Sequence, residues 1–274
     1  MIKINLKGGL GNQLFQYALG RHLAIIHKTS LMFDINSFTD DPLREYRLNA
    51  FNIFGQPDKA SLNPIRHFFR RKFGAIKENG FEFQPEILKT PDNSFLDGYW
   101  QSEKYFSAIQ EIIRSDLTLI NPIPQDLIPL KNKITSSNSV SIHVRRGDYD
   151  SNPTTTAFHG LCSIDWYKNA ANEFTKTNEE FHFFIFSDDY DWVKENLRLD
   201  SPTTFIKPSA NGDEAQDMYL MSLCKHNIIA NSSFSWWAAW LNLNKSKKVI
   251  APKRWFAQNT HNTSDLIPTE WIKL

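Results

Sequence analysis

Basic side chains follow an apolar run in residues 143–149, HVRRGDY. In a strand, alternate side chains share a face, so we expect His143 and Arg145 on one side and Arg146 on the other. An arginine at a strand end can donate two parallel charge-assisted hydrogen bonds to a diphosphate. The segment therefore predicts a diphosphate-binding loop. The alternative is a surface ion-pair cluster in which Arg146 only pairs with Asp148.

Two further segments carry polar side chains directly after apolar runs. Ser187, Asp188 and Asp189 follow 181–186, and paired carboxylates there suggest either a metal–nucleotide site or the start of a helix. We favour a helix cap for Asp189, donor-binding positions for Ser187 and Asp188 with Asp188 facing the nucleotide, and no metal.

The segment from Asp217 to Trp240 contains the third group. A carboxylate accepts well from the two adjacent N–H groups of guanine, which suits Asp217, an acidic residue beside an apolar helical run. Ser232, Ser233 and Phe234 lie in NSSFSWW, where hydroxyl groups between a strand and a helix form a second predicted anion cradle.

A glycine-rich turn opens the chain, with Gly9, Gly11, Asn12 and Gln13 after the strand-like run IKINL. Backbone N–H groups at a helix start bind anions, and the two amide side chains can reach across a cleft. A tight β–α connection without ligand is the alternative. Leu14 occupies a position where a dinucleotide fingerprint needs glycine, which argues against a Rossmann-type oxidoreductase.

Regular alternation of strands and helices positions these segments after residue 140. Strands predicted at 140–144, 181–186, 227–230 and 249–250 alternate with helices, which indicates a parallel sheet covered on both faces. Such sheets bind ligands at the carboxyl ends of their strands. The proline-rich stretch 121–139 predicts a connection between two lobes, and residues 36–95 give no regular order. Asn12 is predicted to cap a helix whose buried face includes Ile26, and Ser102 to cap a second helix whose buried stripe includes Ile112.

Composition restricts the function classes. A net charge of +1 over 274 residues argues against a nucleic-acid binder with a large basic face. Two cysteines without ligand spacing and no targeting segment predict a cytoplasmic protein, at most peripheral at the inner membrane. Residues 67–73, HFFRRKF, fit either a solvated helix face or contact with a membrane or lipid-linked glycan.

Taken together, five stretches of the sequence resemble the α-1,2-fucosyltransferases of glycosyltransferase family 11. They are GGLGNQLFQYALG, GYWQSEKYF, SIHVRRGDY, DMYLMSLCKHNIIANSSFSWWAAWL and VIAPKRWF, which lie between residues 8 and 256. After residue 140 the chain is more distantly similar to α-1,6- and protein O-fucosyltransferases.

The resemblance implies an α/β fold of the GT-B type, with two Rossmann-like lobes facing a central cleft. It implies that residues 1–130 mainly bind the acceptor and that residues 131–274 bind GDP-fucose. The implied reaction is an inverting, metal-independent transfer of fucose to the 2-hydroxyl of a terminal β-galactose, with no cofactor. A non-catalytic sugar- or nucleotide-binding module and a fucosyltransferase of another linkage stay open as alternatives.

Residue by residue, the resemblance places Arg145 at the β-phosphate, His143 and Asp217 around guanine, and Ser232 and Ser233 near the phosphates. It places Asn12 at the cleft as a catalytic residue. The α-1,6 enzymes carry a glutamate ten residues after the histidine, where this sequence has Pro153. Asp148 is the nearest carboxylate that could act as base, and it could equally be structural.

Overall fold

The computed structural model describes residues 1–41, 43–58, 75–147, 156–158, 160–208, 213–258 and 261–274. They form two compact units, Met1–Ile120 with Asn262–Pro268, and Asn121–His261 with Thr269–Leu274. The sequence-based boundary after residue 130 therefore falls inside the second unit. The return of 262–268 to the first unit was not foreseen, because it carries no periodic pattern.

The first unit contains a parallel five-stranded sheet in the order β3-β2-β1-β5-β4. Its strands are β1 (Ile2–Asn5), β2 (Leu31–Asp34), β3 (Gln56–Pro57), β4 (Ile76–Lys77) and β5 (Phe95–Asp97). Helices α1 (Leu10–His27) and α2 (Gln110–Asp116) belong to the same unit. Helix α1 packs closely on β1, since a Cβ at Gly20 would lie 2.7 Å from Ile4 Cγ1.

Three local predictions for this unit need correction. Helix α1 begins before Asn12, with Gly9 at the N-cap, so Asn12 is a first-turn residue and not the cap. Ser102 does cap a helix, but that helix is a 3-10 turn over Glu103–Tyr105. Ile26 and Ile112, expected in buried stripes, are exposed: Ile26 is the second-last residue of α1, and Ile112 lies in the first turn of α2.

The second unit contains a parallel six-stranded sheet in the order β11-β10-β9-β6-β7-β8. Its elements are α3 (Ile128–Ser136), β6 (Ser139–Val144), α4 (Ile164–Thr175), β7 (His182–Ser187), α5 (Tyr190–Asn196), β8 (Thr203–Ile206), α6 (Glu214–Ser222), β9 (His226–Ile228), α7 (Ser233–Leu241), β10 (Val249–Ala251) and β11 (Ile272–Lys273). The predicted connection 121–139 thus contains a helix. Its Pro129 is tolerated because it occupies the first turn, where no intrahelical N–H bond is lost.

Each sheet contains a point at which the chain reverses its direction of winding. In the first unit the chain passes from β1 to β3 on one side and then places β5 on the other side of β1. In the second, it passes from β6 to β8 and then places β9 on the other side of β6. Crevices for ligands form at the carboxyl ends of such strand pairs. The two pairs β1/β5 and β6/β9 are therefore the places to look for sites.

The core of the second unit fixes the orientation of β6. Val140, Ile142 and Val144 pack into one cluster with side chains of α4 and α5, which leaves His143 on the opposite face. Among the helices that the structure describes, none is both long and apolar enough to cross a membrane.

Candidate functional site

His143 lies at the winding reversal of the second unit, near the carboxyl end of β6. Its ring centroid is 5.3 Å from that of Phe234, which follows β9. Burial, reinforced by the charge of Arg145, lowers the pKa of His143 to about 3, so the imidazole is neutral at physiological pH. Its Nδ1 is buried and has no hydrogen-bond partner among the described residues. An unpaired buried polar atom is unfavourable by about 1–3 kcal/mol, which is typical of a group that a ligand completes.

Arg145 is held by a carboxylate from the neighbouring strand. Its Nη1 lies 2.7 Å from Asp188 Oδ2, while Asp188 Oδ1 accepts a hydrogen bond from the Arg146 backbone N–H at 2.8 Å. A Cβ at position 147 would lie 2.5 Å from Asp188 Oδ2, so a side chain there would displace the carboxylate that holds Arg145. The guanidinium is therefore oriented before any ligand arrives. Asp188, predicted to face the nucleotide, supports Arg145 in this structure.

The side chain of Arg146 packs against Trp192 and pairs with Asp189. Its guanidinium lies 3.5 Å from the centroid of the Trp192 ring and its Nε lies 3.3 Å from Asp189 Oδ2. The predicted ion-pair partner was Asp148, which lies outside the described residues. The helix cap predicted for Asp189 is confirmed, since its side chain accepts from Trp192 N. Ser187, predicted at the donor, accepts from Asp189 N at 3.0 Å and so also shapes this turn.

The hydroxyl-rich loop leads into a helix whose first turn is open. Ser232 is the N-cap of α7, but its side chain makes no capping hydrogen bond. Ser233 and Phe234 are half-buried at the start of this helix. The helix start therefore offers backbone N–H groups and a positive dipole end beside the strand that carries Arg145. Arg145 and Ser232–Phe234 thus follow two paired strands, β6 and β9, at the same edge of the sheet.

Asp217 lies in the first turn of α6, the helix that follows β8. Burial, together with the charges of Asp213 and Glu214, raises its pKa to about 7. No hydrogen bond reaches its carboxyl group from another residue of the described chain. The charged form of a half-buried carboxyl group that accepts no hydrogen bond is unfavourable, unless a ligand donates hydrogen bonds to it.

In the first unit, the predicted cleft residues separate into two groups. Gln13 is fully buried, donates to Gly8 O and Glu45 O, and accepts from Arg47 N. The prediction that Gln13 reaches across a cleft is therefore wrong, because its amide ties a neighbouring loop to α1. Asn12 is half-buried and its Oδ1 accepts from Gln101 Nε2 at 2.7 Å.

The glycines of this turn have unequal roles. Gly9 caps α1 and Gly11 lies buried in its first turn, as expected for a β–α connection. The tightest constraint is at Gly8, which the prediction left out. It has φ +76°, and a Cβ there would lie 2.6 Å from Asn12 Nδ2.

Several residues were missed because their partners are distant in sequence. Gln16 donates to Lys7 O and Gly98 O, and Gln101 reaches Asn12 from the segment after β5. The motif GYWQS contains Gln101, but the strand before it was not recognised. The basic stretch 67–73 lies outside the described residues. Within the described part of the chain, no group of three or more His, Cys, Asp or Glu side chains could hold a metal ion.

The model for "Glycosyl transferase family 11" matches residues 1–274 of this chain. The chain belongs to glycosyltransferase family 11. Two relatives from Escherichia coli align over nearly their whole length. The family member named alpha-1,2-colitosyltransferase is 34% identical, with 100% of this chain and 99% of the relative covered. The O-antigen biosynthesis glycosyltransferase WbnK is 35% identical, with coverage of 98% and 99%.

More distant relatives and solved structures agree on family and fold. A galactoside 2-alpha-L-fucosyltransferase of Caenorhabditis elegans is 27% identical, covering 100% of this chain and 79% of its own. The NodZ α-1,6-fucosyltransferase soaked with GDP-fucose has a TM-score of 0.52 at 16% identity, covering 88% of this chain and 92% of its own. The apo-form of POFUT1 has a TM-score of 0.50 at 12% identity, with coverage of 91% and 97%. The two parallel-sheet α/β units are those of a GT-B glycosyltransferase.

Proposed function

We propose that this family 11 glycosyltransferase moves L-fucose from GDP-fucose to the 2-hydroxyl of a terminal β-galactoside, with inversion. The observation that carries the proposal is the meeting of His143, Arg145 and the Ser232–Phe234 turn where β6 and β9 lie side by side. A nucleoside diphosphate is bound by a neutral group beside its base, a positive charge held near its phosphates, and the free backbone N–H groups at the start of a helix.

Guanine selection rests on two groups without internal partners. The Asp217 carboxylate would accept from guanine N1–H and N2–H, which uracil and adenine cannot donate in that arrangement. Burial of the His143 imidazole keeps it uncharged, so its Nδ1 is available for a hydrogen bond with the nucleotide. Both groups belong to the second unit: His143 lies in β6, and Asp217 lies in α6, the helix that follows β8. The lobe 131–274 is thus the proposed donor lobe, and 1–130 the acceptor lobe.

In the proposed reaction the acceptor 2-hydroxyl oxygen attacks the anomeric carbon of GDP-β-L-fucose. The bond from that carbon to the diphosphate breaks, GDP leaves with the electron pair, and an α-linked product forms. Arg145 and the first-turn N–H groups of α7 stabilise the charge on the leaving diphosphate. The hydroxyl proton passes to a base. The proposed candidate is Asp148, and Asn12 is proposed as a further catalytic residue.

Charge stabilisation by these groups makes a metal ion unnecessary in the proposal. Arg145 already supplies a fixed positive charge, held at 2.7 Å by Asp188. An oriented guanidinium with two N–H donors can replace the role that a divalent cation plays on a diphosphate. We therefore propose a metal-independent reaction without a cofactor.

A second candidate donor differs by one hydroxyl group. The 34% identical Escherichia coli relative is named for colitose, which is L-fucose without its 3-hydroxyl. The nucleotide site described above contacts the GDP part, which both activated sugars share. GDP-colitose is therefore the alternative donor, and the linkage would remain α-1,2.

The test combines binding and transfer. Calorimetry with GDP, UDP and ADP tests the base preference. Purified protein is then incubated with GDP-fucose or GDP-colitose and with a β-galactoside such as lactose, and the product linkage is determined by NMR. We expect tight binding of GDP alone among the three nucleotides and an α-1,2 product. Equal affinity for GDP and UDP, or GDP binding without transfer to any galactoside, would contradict the proposal and favour a non-catalytic module.

A further inference from the structure

Two side-chain amides meet at the winding reversal of the first unit. Gln101 Nε2 donates to Asn12 Oδ1 at 2.7 Å. Asn12 belongs to the first turn after β1, and Gln101 follows β5, the strand that pairs with β1. Gln101 is buried and Asn12 is half-buried, so the first amide lies beneath the second. The contact joins the carboxyl ends of the two strands where ligand crevices form.

Gln101 is itself held in place by an unusual backbone. Glu78 Oε2 accepts from Tyr99 N at 2.6 Å, and Glu78 Oε1 accepts from Trp100 N at 2.7 Å. The fully buried Trp100 has φ +57°, in the left-handed region that a bulky residue rarely adopts. Such a backbone is unfavourable and persists only where the surrounding contacts hold it in place. The strained backbone places one residue, Gln101, directly below Asn12.

The direction of the amide–amide bond determines what Asn12 presents to a ligand. Its oxygen is used by Gln101, whereas its Nδ2 donates to no other side chain or backbone group of the described chain. The free part of the amide is thus the NH₂ group, which requires an oxygen acceptor. If the amide were reversed, its carbonyl oxygen would face the ligand instead, and it could only accept a hydrogen bond.

We infer that Gln101 is a positioning residue, which fixes the Asn12 amide so that its NH₂ group faces a substrate oxygen. The inference rests on the proposed function, in which Asn12 is a catalytic residue. Gln101 itself touches no substrate and acts through Asn12. Glu78 and the left-handed Trp100 backbone support it from below.

The first experiment is a double-mutant cycle on kcat. Asn12→Ala, Gln101→Ala and the double variant are compared with Gln110→Ala, a control at an exposed glutamine of α2. Losing one neutral hydrogen bond predicts a kcat about tenfold lower for Gln101→Ala, and losing the donor itself a larger loss for Asn12→Ala. The double variant should lie within about twofold of Asn12→Ala, because Gln101 has nothing left to position.

A second variant tests the orientation of the Asn12 side-chain amide. Gln101→Glu keeps the size but its carboxylate accepts instead of donating, so it should draw the Asn12 NH₂ group towards itself and reverse the amide. We expect kcat to fall at least as far as in Gln101→Ala, with GDP affinity close to that of the wild type and a lower Tm, because a carboxylate at this buried position is unfavourable. The side-chain ¹⁵N–¹H₂ resonance of Asn12, assigned by its loss in Asn12→Ala, should shift in both Gln101 variants and not in Gln110→Ala.

The results separate this inference from the proposed function. Additive losses in the double variant, or a normal kcat with an unshifted Asn12 resonance in Gln101→Ala, would overturn the role of Gln101. A wild-type protein that transfers neither fucose nor colitose would refute the proposed function alone. The Asn12 resonance would then still decide the orientation, because it is measured without substrate.

Discussion

Replacing Asp217 by asparagine removes one charge and half of the acceptor capacity of the side chain while keeping its shape. The structure predicts opposite effects on stability and on nucleotide binding. In the free protein the carboxyl group is half-buried, lies near Asp213 and Glu214, and has a pKa raised to about 7. Its charged form is therefore unfavourable in the folded state until a ligand donates to it.

Stability should rise in Asp217→Asn, and its pH dependence identifies the cause. The folded-state pKa lies above the unfolded value near 4, so ionising Asp217 destabilises the fold progressively from about pH 4 to pH 7 and constantly above that. We expect a gain of about 1–2 kcal/mol in the free energy of unfolding at pH 8, after allowance for solvent access. The gain should be smaller at pH 5. Asp200→Asn, at an exposed aspartate, should show neither effect.

Binding should change in the opposite direction. Loss of a charged hydrogen-bonding partner weakens GDP binding by about 1.5–3 kcal/mol, which is roughly 10- to 150-fold in Kd. Because an asparagine side chain presents one acceptor and one donor, the variant should prefer xanthosine diphosphate, which carries an oxygen where guanine has N2–H. For the wild type, GDP affinity should be constant above about pH 7 and fall by up to tenfold per pH unit below it, as the carboxyl group is protonated.

Calorimetry at pH 8 with GDP and xanthosine diphosphate, and thermal unfolding from pH 5 to pH 8, measure these effects. If Asp217→Asn bound GDP as tightly as the wild type does, Asp217 would not contact guanine. If the variant were less stable than the wild type at pH 8, the carboxylate would be making internal hydrogen bonds, and the reasoning from its raised pKa would fail.

The remaining predictions concern the diphosphate, the metal and the glycine turn. Arg145→Ala should lower kcat by about 10²–10³, and Arg145→Lys should rescue little because an ammonium lacks the paired N–H donors. Arg146→Ala should act mainly on Tm, through its lost contacts with Trp192; a normal kcat in Arg145→Ala would reverse this assignment. Excess EDTA should leave the transfer rate unchanged, and restoration by Mn²⁺ or Mg²⁺ of a rate lost to EDTA would refute metal independence. Gly8→Ala should lower kcat by displacing Asn12, whereas Gly80→Ala, also at positive φ but with no atom within 4 Å of its Cβ position, should lower only Tm.

Features that depend on local pattern were predictable from the sequence. The placement of Arg145 and Ser232 at one sheet edge follows from apolar strands that alternate with helices, and the cap at Asp189 follows from its position before a helix. Those predictions needed only strand parity and the rule that parallel strands end at the same edge.

Features that depend on distant partners were not predictable. Strands β3 and β4 are two residues long and β5 is three, too short for an alternation to be seen, so β5 could not be named as a neighbour of β1. Gln13 and Asn12 are adjacent residues of the same helix turn. The Gln13 amide is hydrogen-bonded to the loop at 45–47, whereas the Asn12 amide bonds to Gln101 through its oxygen and keeps its NH₂ group for a ligand. Only the folded positions of Glu45, Arg47 and Gln101 decide between these roles.

Residues 272–274 also affect how the sheet of the second unit folds. Strand β11 (Ile272–Lys273) pairs with β10, and the carbonyl of Leu274 accepts from Trp166 Nε1 and Lys253 N. During synthesis, the outer edge of β10 (Val249–Ala251) therefore has no partner strand until residues 272–274 have been made. Unpaired strand edges promote association between chains. A fragment cut after residue 268 would keep every group of the proposed nucleotide site and still leave that edge open to aggregation.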